Sequence, residues 1–220
     1  MSKRSYVSVA RAEAAAEKRE RVIQAAARFL REESGITAFS LDAVAKAADV
    51  TRLTVYNQFG SRRGLLEAVF DDIARRGQLV RLNHAMTEAD PWKGLDMLIE
   101  IFCNFWGGDP AVARLHDAMA IDSEFAQALL ERNERRRRSI EELVTRIAGE
   151  QVPTAAQRDA VDLVFALTSC AMFRMLTGAR PVAAVCAIIT DAVRAAIAGI
   201  KPANSTRCDR DRSSPQLSNG

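Results

Sequence analysis

The chain has 220 residues, of which 48% are hydrophobic and 27% charged, and its formal net charge is +3 at pH 7. This composition is typical of a globular protein and excludes disorder over the whole length, because there is ample apolar surface to bury. Residues 1–70 carry 12 Lys and Arg against 8 Asp and Glu. The positive excess in the first third of the chain hints at a polyanionic partner for that end.

Neither the cysteines nor the apolar segments indicate export or a membrane. None of the four cysteines forms a Cys-x-x-Cys pair or has a histidine at metal-ligand spacing. No secretory signal is visible, and the longest apolar run, residues 181–189, is far shorter than the ~20 residues that a membrane span needs. We therefore expect a cytoplasmic protein with no metal, no other cofactor and no membrane contact.

Helical periodicity runs along the chain, and Gly and Pro fall between the periodic segments. Residues 1–18 are rich in Ala, Ser and charge, which predicts a flexible basic arm or an extension of the first helix. The first helix is predicted from about Glu17 to Glu33, with a break at Ser34-Gly35.

Two short helices are then predicted with only a few residues between them. Ala45 and Ala48 are small, so the two helices can approach closely at a steep angle, as a helix-turn-helix requires. Each predicted helix follows a hydroxyl residue that is a good N-cap. The caps and helices are Ser40 before Leu41–Ala48, Thr51 before Arg52–Phe59, and Ser61 before a fourth helix that reaches Arg76 or beyond.

The second short helix has a polar outward face. Such a helix reads DNA when polar side chains of its N-terminal part reach base edges in the major groove. Arg can donate two hydrogen bonds to guanine, and Asn or Gln can pair with adenine. The alternative is that residues 40–59 are two core helices joined by a turn. The outward residues are Arg52, Thr54, Tyr56, Asn57 and Gln58.

Residues 39–66 resemble the DNA-binding signature of TetR-family transcriptional regulators, most specifically in Thr-Val-Tyr-x-x-Phe-x-Ser-Arg-x-x-Leu-Leu. The resemblance implies an all-α protein with about nine helices. It further implies a homodimeric, ligand-responsive regulator, which we expect to be a repressor released from a double-stranded DNA operator by a small, largely apolar inducer. The expected parts are a basic arm (1–18), a three-helix helix-turn-helix domain (19–65), a ligand-binding and dimerisation domain (66–200) and a disordered tail (201–220).

The resemblance assigns DNA contacts to nine positions, with Ser40 and Arg62 meeting phosphates. The sequence departs from the family pattern at two places. Asp49 stands where the family usually has Gly, at a turn position that favours a positive φ. Leu53 replaces a residue that is often small or polar, and it could contact a thymine methyl group. The nine positions are Ser40, Thr51, Arg52, Leu53, Thr54, Tyr56, Asn57, Gln58 and Arg62.

Five more helices are predicted after the fourth one. Asp-Pro pairs at residues 90–91 and 109–110 supply a cap followed by proline at the first helical position. The predicted helices are 91–106, 110–121, 123–148, 154–177 and 181–199.

Aromatic and Met side chains recur at helical spacing in these segments, and they can be core or can line a ligand pocket. A pocket also needs polar groups, for which His116, Asn104, Thr168 and Arg174 are candidates. The residues predicted for the pocket are Phe102, Phe105, Trp106, His116, Met119, Phe125, Phe173 and Arg174.

The two last predicted helices are nearly free of charge on several faces. Burial against a second copy in a two-fold four-helix interface explains this, and a central core helix within one subunit is the alternative. The residues predicted for the dimer interface are Phe165, Met172, Val185, Ile189 and Val193.

The run from Arg135 to Arg138 spans a full helical turn, and neighbouring Glu residues can pair with it at a spacing of four. It is interpreted as a solvated face or as a contact for an anionic ligand or DNA. No nucleophile elbow, phosphate loop or metal motif is visible, so an enzyme is not predicted. A helical adaptor or small-molecule carrier that does not bind DNA is the remaining alternative.

Overall fold

The computed structural model describes residues 3–32, 38–119, 122–149 and 154–199. Within these ranges the chain forms eleven α-helices, one 3-10 turn and no strand, which confirms the all-α prediction and adds two helices to the expected number. The predicted tail and the break at Ser34-Gly35 lie outside the described residues. The helices are α1 Lys3–Arg31, α2 Leu41–Ala47, α3 Arg52–Phe59, α4 Arg62–Arg76, α5 Leu82–Thr87, α6 Pro91–Gly108, α7 Pro110–Ala118, α8 Ser123–Ala148, α9 Thr154–Leu167, α10 Cys170–Thr177 and α11 Val182–Ala198.

The first helix differs from the prediction because it begins at Lys3. Residues 3–18 therefore continue α1 instead of forming a separate arm. They contain many Ala and charged residues and neither Gly nor Pro, so their intrinsic helix propensity is high. Side chains from residue 11 to residue 21 are exposed, and the buried part of α1 starts at Val22.

The single helix predicted over residues 154–177 is in fact two, α9 and α10. Thr168 and Ser169 interrupt it, because their hydroxyls compete for backbone groups. Thr168 Oγ1 donates to the Val164 carbonyl at 2.8 Å, and Ser169 Oγ accepts from the Met172 amide at 3.2 Å and so caps α10. None of the described helices is by itself long and apolar enough to cross a membrane, although α9 and α10 pass that test as a pair bent by 52°.

The chain divides into two compact units, Met1–Asn83 with Glu100–Arg135, and His84–Ile99 with Arg136–Gly220. Helices α6 and α8 each contribute residues to both units. The domain boundary expected after residue 65 falls inside α4, so the helix-turn-helix and α4 belong to the same unit.

In the first unit, α1 packs against α2, α4 and α7. Val22 and Leu30 of α1 and Leu66 of α4 are completely buried, and burial of each such side chain contributes about 1.5–3 kcal/mol. Arg31 at the end of α1 makes a two-pronged ion pair with Asp109, with N···O distances of 3.0 and 2.6 Å. The helix-turn-helix therefore packs against α1, which also holds α4 and α7 in place.

In the second unit, α11 packs against α9 and α10. Val164 of α9 and Phe173 of α10 are buried together with every fourth residue of α11. The buried residues of α11 are Val185, Ile189, Val193 and Ile197.

Candidate nucleic-acid interface

A tight turn joins α2 to α3. Asp49 in this turn has a φ of 53°, which confirms the positive φ expected where the family usually has Gly. The Val50 amide donates to the Ala45 carbonyl at 3.0 Å and closes the turn. Val44 and Val55 are completely buried, so α2 and α3 make the compact crossing of a helix-turn-helix.

The three predicted N-caps are confirmed. The side-chain oxygens of Ser40, Thr51 and Ser61 each accept a backbone N–H three residues ahead, at 3.1, 3.1 and 3.0 Å. Replacement of such a cap by Ala costs about 1 kcal/mol. The starts of α2, α3 and α4 are therefore fixed by local hydrogen bonds as well as by packing.

Gly64 allows α4 to begin close to the end of α3. A Cβ at this position would lie 2.0 Å from the Phe59 carbonyl oxygen, so any other residue would push the two helices apart. Sequence reasoning did not identify this role. The available signal was a glycine in the first turn of a helix, where it is intrinsically unfavourable.

The face of α3 that the sequence predicts to read DNA is exposed. Leu53 is 66% exposed and Tyr56 is 57% exposed, and Arg52 and Asn57 are also exposed. Thr54 is half-buried and its hydroxyl lies 2.9 Å from that of Thr51. A guanidinium, an amide, a phenol and an apolar side chain on one helix can address guanine, adenine, phosphate and a thymine methyl group respectively.

One acidic residue faces this surface. Asp42 of α2 lies 3.2 Å from Arg52, with both side chains largely in solvent. An exposed ion pair of this kind contributes little, about 0–1 kcal/mol. A phosphate or a guanine can therefore replace Asp42 as the partner of Arg52.

Two of the residues predicted to contact DNA also have partners within the protein. Gln58 is half-buried, its side-chain Nε2 donates to the Ala15 carbonyl at 3.5 Å, and its backbone carbonyl accepts from Arg19 at 3.1 Å. The Arg62 guanidinium pairs with Asp122 at 3.2 Å. The α1 extension covers the end of α3, and the start of α8 approaches α4, neither of which the sequence indicated.

The predicted ligand-pocket residues divide between core and surface. Phe102, Phe105 and Phe125 are buried core residues, and Phe105 meets the edge of Phe70 at 5.8 Å between ring centroids. Trp106, His116 and Met119 are half-buried, and Trp106 and His116 meet edge to face. In the second unit Phe173 is buried and Arg174 is exposed, and a role for either residue in a ligand pocket stays a prediction.

A cleft of about 340 Å³ lies elsewhere in the first unit, around the end of α4 and one side of α6. None of the eight predicted pocket residues lines it. Asn104, which was considered as a polar candidate, does line it.

Most of the residues predicted for the dimer interface point into the core of their own subunit. Val185, Ile189 and Val193 are buried within their own subunit, so the alternative of a core helix holds for that face of α11. Phe165 and Met172 are half-buried. Among the described residues of this unit, the large apolar side chains that are exposed are Leu163, Met175 and Ile188.

The arginine run is only partly a solvated face. Arg136 is 6% exposed, and its Nη1 donates to Thr168 Oγ1 at 2.9 Å. Burial, together with the charge of Arg137, lowers the pKa of Arg136 to about 10. Both Arg136 and Arg137 lie over the ring of Phe165, and Arg137 also pairs with Asp162.

Two family models match this chain. The model described as bacterial regulatory proteins, tetR family, matches residues 23–69, and the tetracyclin repressor-like C-terminal domain matches residues 89–198. The second match alone covers half of the chain. The chain belongs to the TetR family.

Two curated proteins that resemble part of this chain are named HTH-type transcriptional regulators. The chain is 33% identical over 111 residues to the HTH-type transcriptional regulator EthR of Mycolicibacterium smegmatis, which covers 50% of this chain and 51% of EthR. It is 36% identical over 87 residues to the HTH-type transcriptional regulator AlkX of Mycobacterium tuberculosis, covering 38% and 40% respectively. The matched part thus spans about half the length of these relatives or less.

Solved structures share the fold at low sequence identity. A transcriptional regulator from Rhodococcus sp. Rha1 superposes with a TM-score of 0.65 at 15% identity, covering 83% of this chain and 97% of that one. The fatty acid degradation regulator FadR of Bacillus halodurans gives 0.60 at 16% identity, covering 84% and 97%. These likenesses concern the fold.

Proposed function

We propose that this TetR-family chain is a homodimeric transcriptional regulator, acting as a repressor, that binds double-stranded DNA through α3 and responds to a small molecule. The observation that carries the proposal is the exposed face of α3, formed by Arg52, Leu53, Tyr56 and Asn57. The position of α3 is fixed by the turn before it, by its N-cap and by the close contact between its end and α4. A surface of this composition suits base edges. Family membership supports the same assignment.

Arg52 is the residue with the sharpest test. We expect Arg52→Ala to weaken binding to the cognate duplex by about 1–3 kcal/mol and to relax the preference at one base pair. Gel-shift or anisotropy titrations of the full chain on DNA from its own upstream region measure both effects. The matched control is Arg114→Ala on α7. Equal loss on cognate and scrambled duplexes would contradict base reading by Arg52, and absence of salt-dependent duplex binding by the wild type would favour an adaptor or carrier.

Dimerisation is supported by the exposed apolar side chains of the second unit. Leu163 of α9 is 52% exposed and Ile188 of α11 is also exposed, and the other exposed positions of α11 from 187 to 195 are Ala187, Asp191, Arg194 and Ala195. Small and apolar exposed residues on two neighbouring helices suit a four-helix interface with a second copy. Two recognition helices can then read half-sites about 34 Å apart.

The response to a ligand requires two conformations with different DNA affinity. A ligand changes the equilibrium only by its difference in affinity for the two. α4 is the element through which such a change would reach α3, since Gly64 holds the start of α4 against the end of α3.

A further inference from the structure

The segment that follows α4 folds back onto α6 within the first unit. α4 ends at Gly77, Gln78 has a left-handed φ of 58°, and the 3-10 turn Leu79–Arg81 follows. A Cβ at Gly77 would lie 2.9 Å from Cδ2 of Phe105. Glycine therefore allows this turn to lie directly against α6.

The cleft of about 340 Å³ opens between this turn and α6. This volume is at the lower end of the range for small-molecule sites. Two guanidinium groups and two carboxamides line it, the buried Ile101 supplies its apolar part, and no carboxylate is among its described lining residues. The lining residues are Arg76, Gly77, Gln78, Arg81, Ile101 and Asn104.

The polar side chains of the cleft differ in whether they already have hydrogen-bond or ion-pair partners within the protein. Arg76 pairs with Glu20 at 2.9 Å and with Asp72 at 2.8 Å. The side chains of Gln78, Arg81 and Asn104 make no hydrogen bond or ion pair with any residue that the structure describes. Arg81 is half-buried, so a guanidinium that has no ion-pair partner among the described residues lies at the side of a ligand-sized cleft.

We propose that this cleft binds a small organic carboxylate, with Arg81 as its principal ligand and the amides of Gln78 and Asn104 as additional donors. A guanidinium binds a carboxylate through two parallel N–H donors, and carboxamide NH₂ groups can complete the anion's coordination. This site differs in position and polarity from the apolar inducer pocket that the sequence predicted. The proposal deepens the proposed function and rests on it for its effect on DNA.

Arg76 connects the cleft to the support of the recognition helix. Its two partners are Glu20 on α1 and Asp72 on α4, and Asp72 is 6% exposed and also accepts from Gln24 of α1 at 3.2 Å. A bound carboxylate competes with Glu20 and Asp72 for Arg76. The bound anion thereby loosens the contact between α1 and α4 and lowers DNA affinity.

Calorimetric titration of the full chain with succinate, citrate and inorganic phosphate, without DNA, tests the site directly. We expect saturable carboxylate binding that weakens about ten-fold or more in Arg81→Gln and in Asn104→Asp, where a new carboxylate repels the anion. Asn104 is exposed, so the second variant keeps the test valid if Arg81→Gln unfolds. Arg114→Gln is the matched control and should leave binding unchanged. The phosphate titration distinguishes a carboxylate site from a general anion site, and tighter binding of phosphate would overturn the carboxylate assignment.

A second measurement tests the coupling to DNA. At saturating carboxylate, the affinity of the wild type for the duplex should fall more than it does in sodium chloride of equal ionic strength. The affinity of Arg81→Gln for the duplex should be the same in the two salts. No saturable binding of any probe up to about 10 mM overturns the site. Binding without a specific fall in DNA affinity overturns the coupling alone. A wild-type chain that binds carboxylate but never binds DNA overturns the proposed function and leaves the site standing.

Discussion

The contact between Gly64 and the Phe59 carbonyl predicts that the usual effect of Gly→Ala in a helix is reversed at this position. Ala in a helix is normally favoured over Gly by about 1 kcal/mol. At Gly64, however, the new Cβ would lie 2.0 Å from a backbone oxygen, and Cβ atoms essentially never come within 3.0 Å of such an atom. The helices must therefore separate by about 1 Å, and overpacking of this kind costs about 1–3 kcal/mol, with backbone contacts at the upper end.

We expect Gly64→Ala to destabilise the chain by about 2 kcal/mol net, or roughly 4–8 °C in Tm, from the scaling for a chain of this size. Because Phe59 ends α3, DNA affinity should fall as well. Thermal unfolding followed by far-UV circular dichroism and a duplex titration measure the two effects. Gly108→Ala is the matched control, since a Cβ there meets nothing within 4 Å, and it should be neutral or slightly stabilising. A Gly64→Ala protein as stable as the wild type would refute the reasoning.

Three further outcomes are expected. Asp42→Asn releases Arg52 and removes a negative charge from the DNA-facing surface, so duplex affinity should rise by about two- to five-fold at low salt, as a salt-dependence series would show. Thr168→Val removes the hydrogen bond to the buried Arg136 and should cost about 1.5–3 kcal/mol in the free energy of unfolding, measured by chemical denaturation. Leu163→Glu should convert the dimer to a monomer in light scattering.

Each of these predictions has its own control. Arg52→Ala should abolish the gain from Asp42→Asn, because the gain depends on Arg52. Thr177→Val removes a hydroxyl that only bonds the Phe173 carbonyl among the described residues, and it should cost less than Thr168→Val. Leu130→Glu, at an exposed leucine of the first unit, should leave the oligomeric state unchanged.

Local signals in the sequence predicted the helix-turn-helix well. The hydroxyl caps at Ser40, Thr51 and Ser61 act through contacts three residues away, so spacing alone identifies them. The positive φ of Asp49 was expected from the resemblance to a family that usually has Gly at this turn position, and the structure confirms it. These features depend on neighbours in sequence, and the structure confirms them.

Features that depend on distant parts of the chain were predicted poorly. Gln58 and Arg62 carry chemistry suited to DNA, but their engagement by Ala15 and by Asp122 depends on tertiary packing. An almost entirely apolar helix such as α11 does not reveal which face meets its own subunit, so the burial of Val185, Ile189 and Val193 within one subunit could not be predicted. The interruption before Cys170 was missed because Thr168 and Ser169 can also occur within a helix.

α1 continues well beyond the part of it that is buried. At 1.5 Å per residue, residues 11–14 extend α1 by about 6 Å beyond the contact that Ala15 makes with Gln58. The side chains of residues 11–14 are exposed, and a helix segment that buries nothing depends on its own propensity, which is marginal in water. Its amide protons should therefore exchange with solvent far faster than those near Val22. Residues 11–14 are consequently a place where a label can be attached without disturbing the packing around α3.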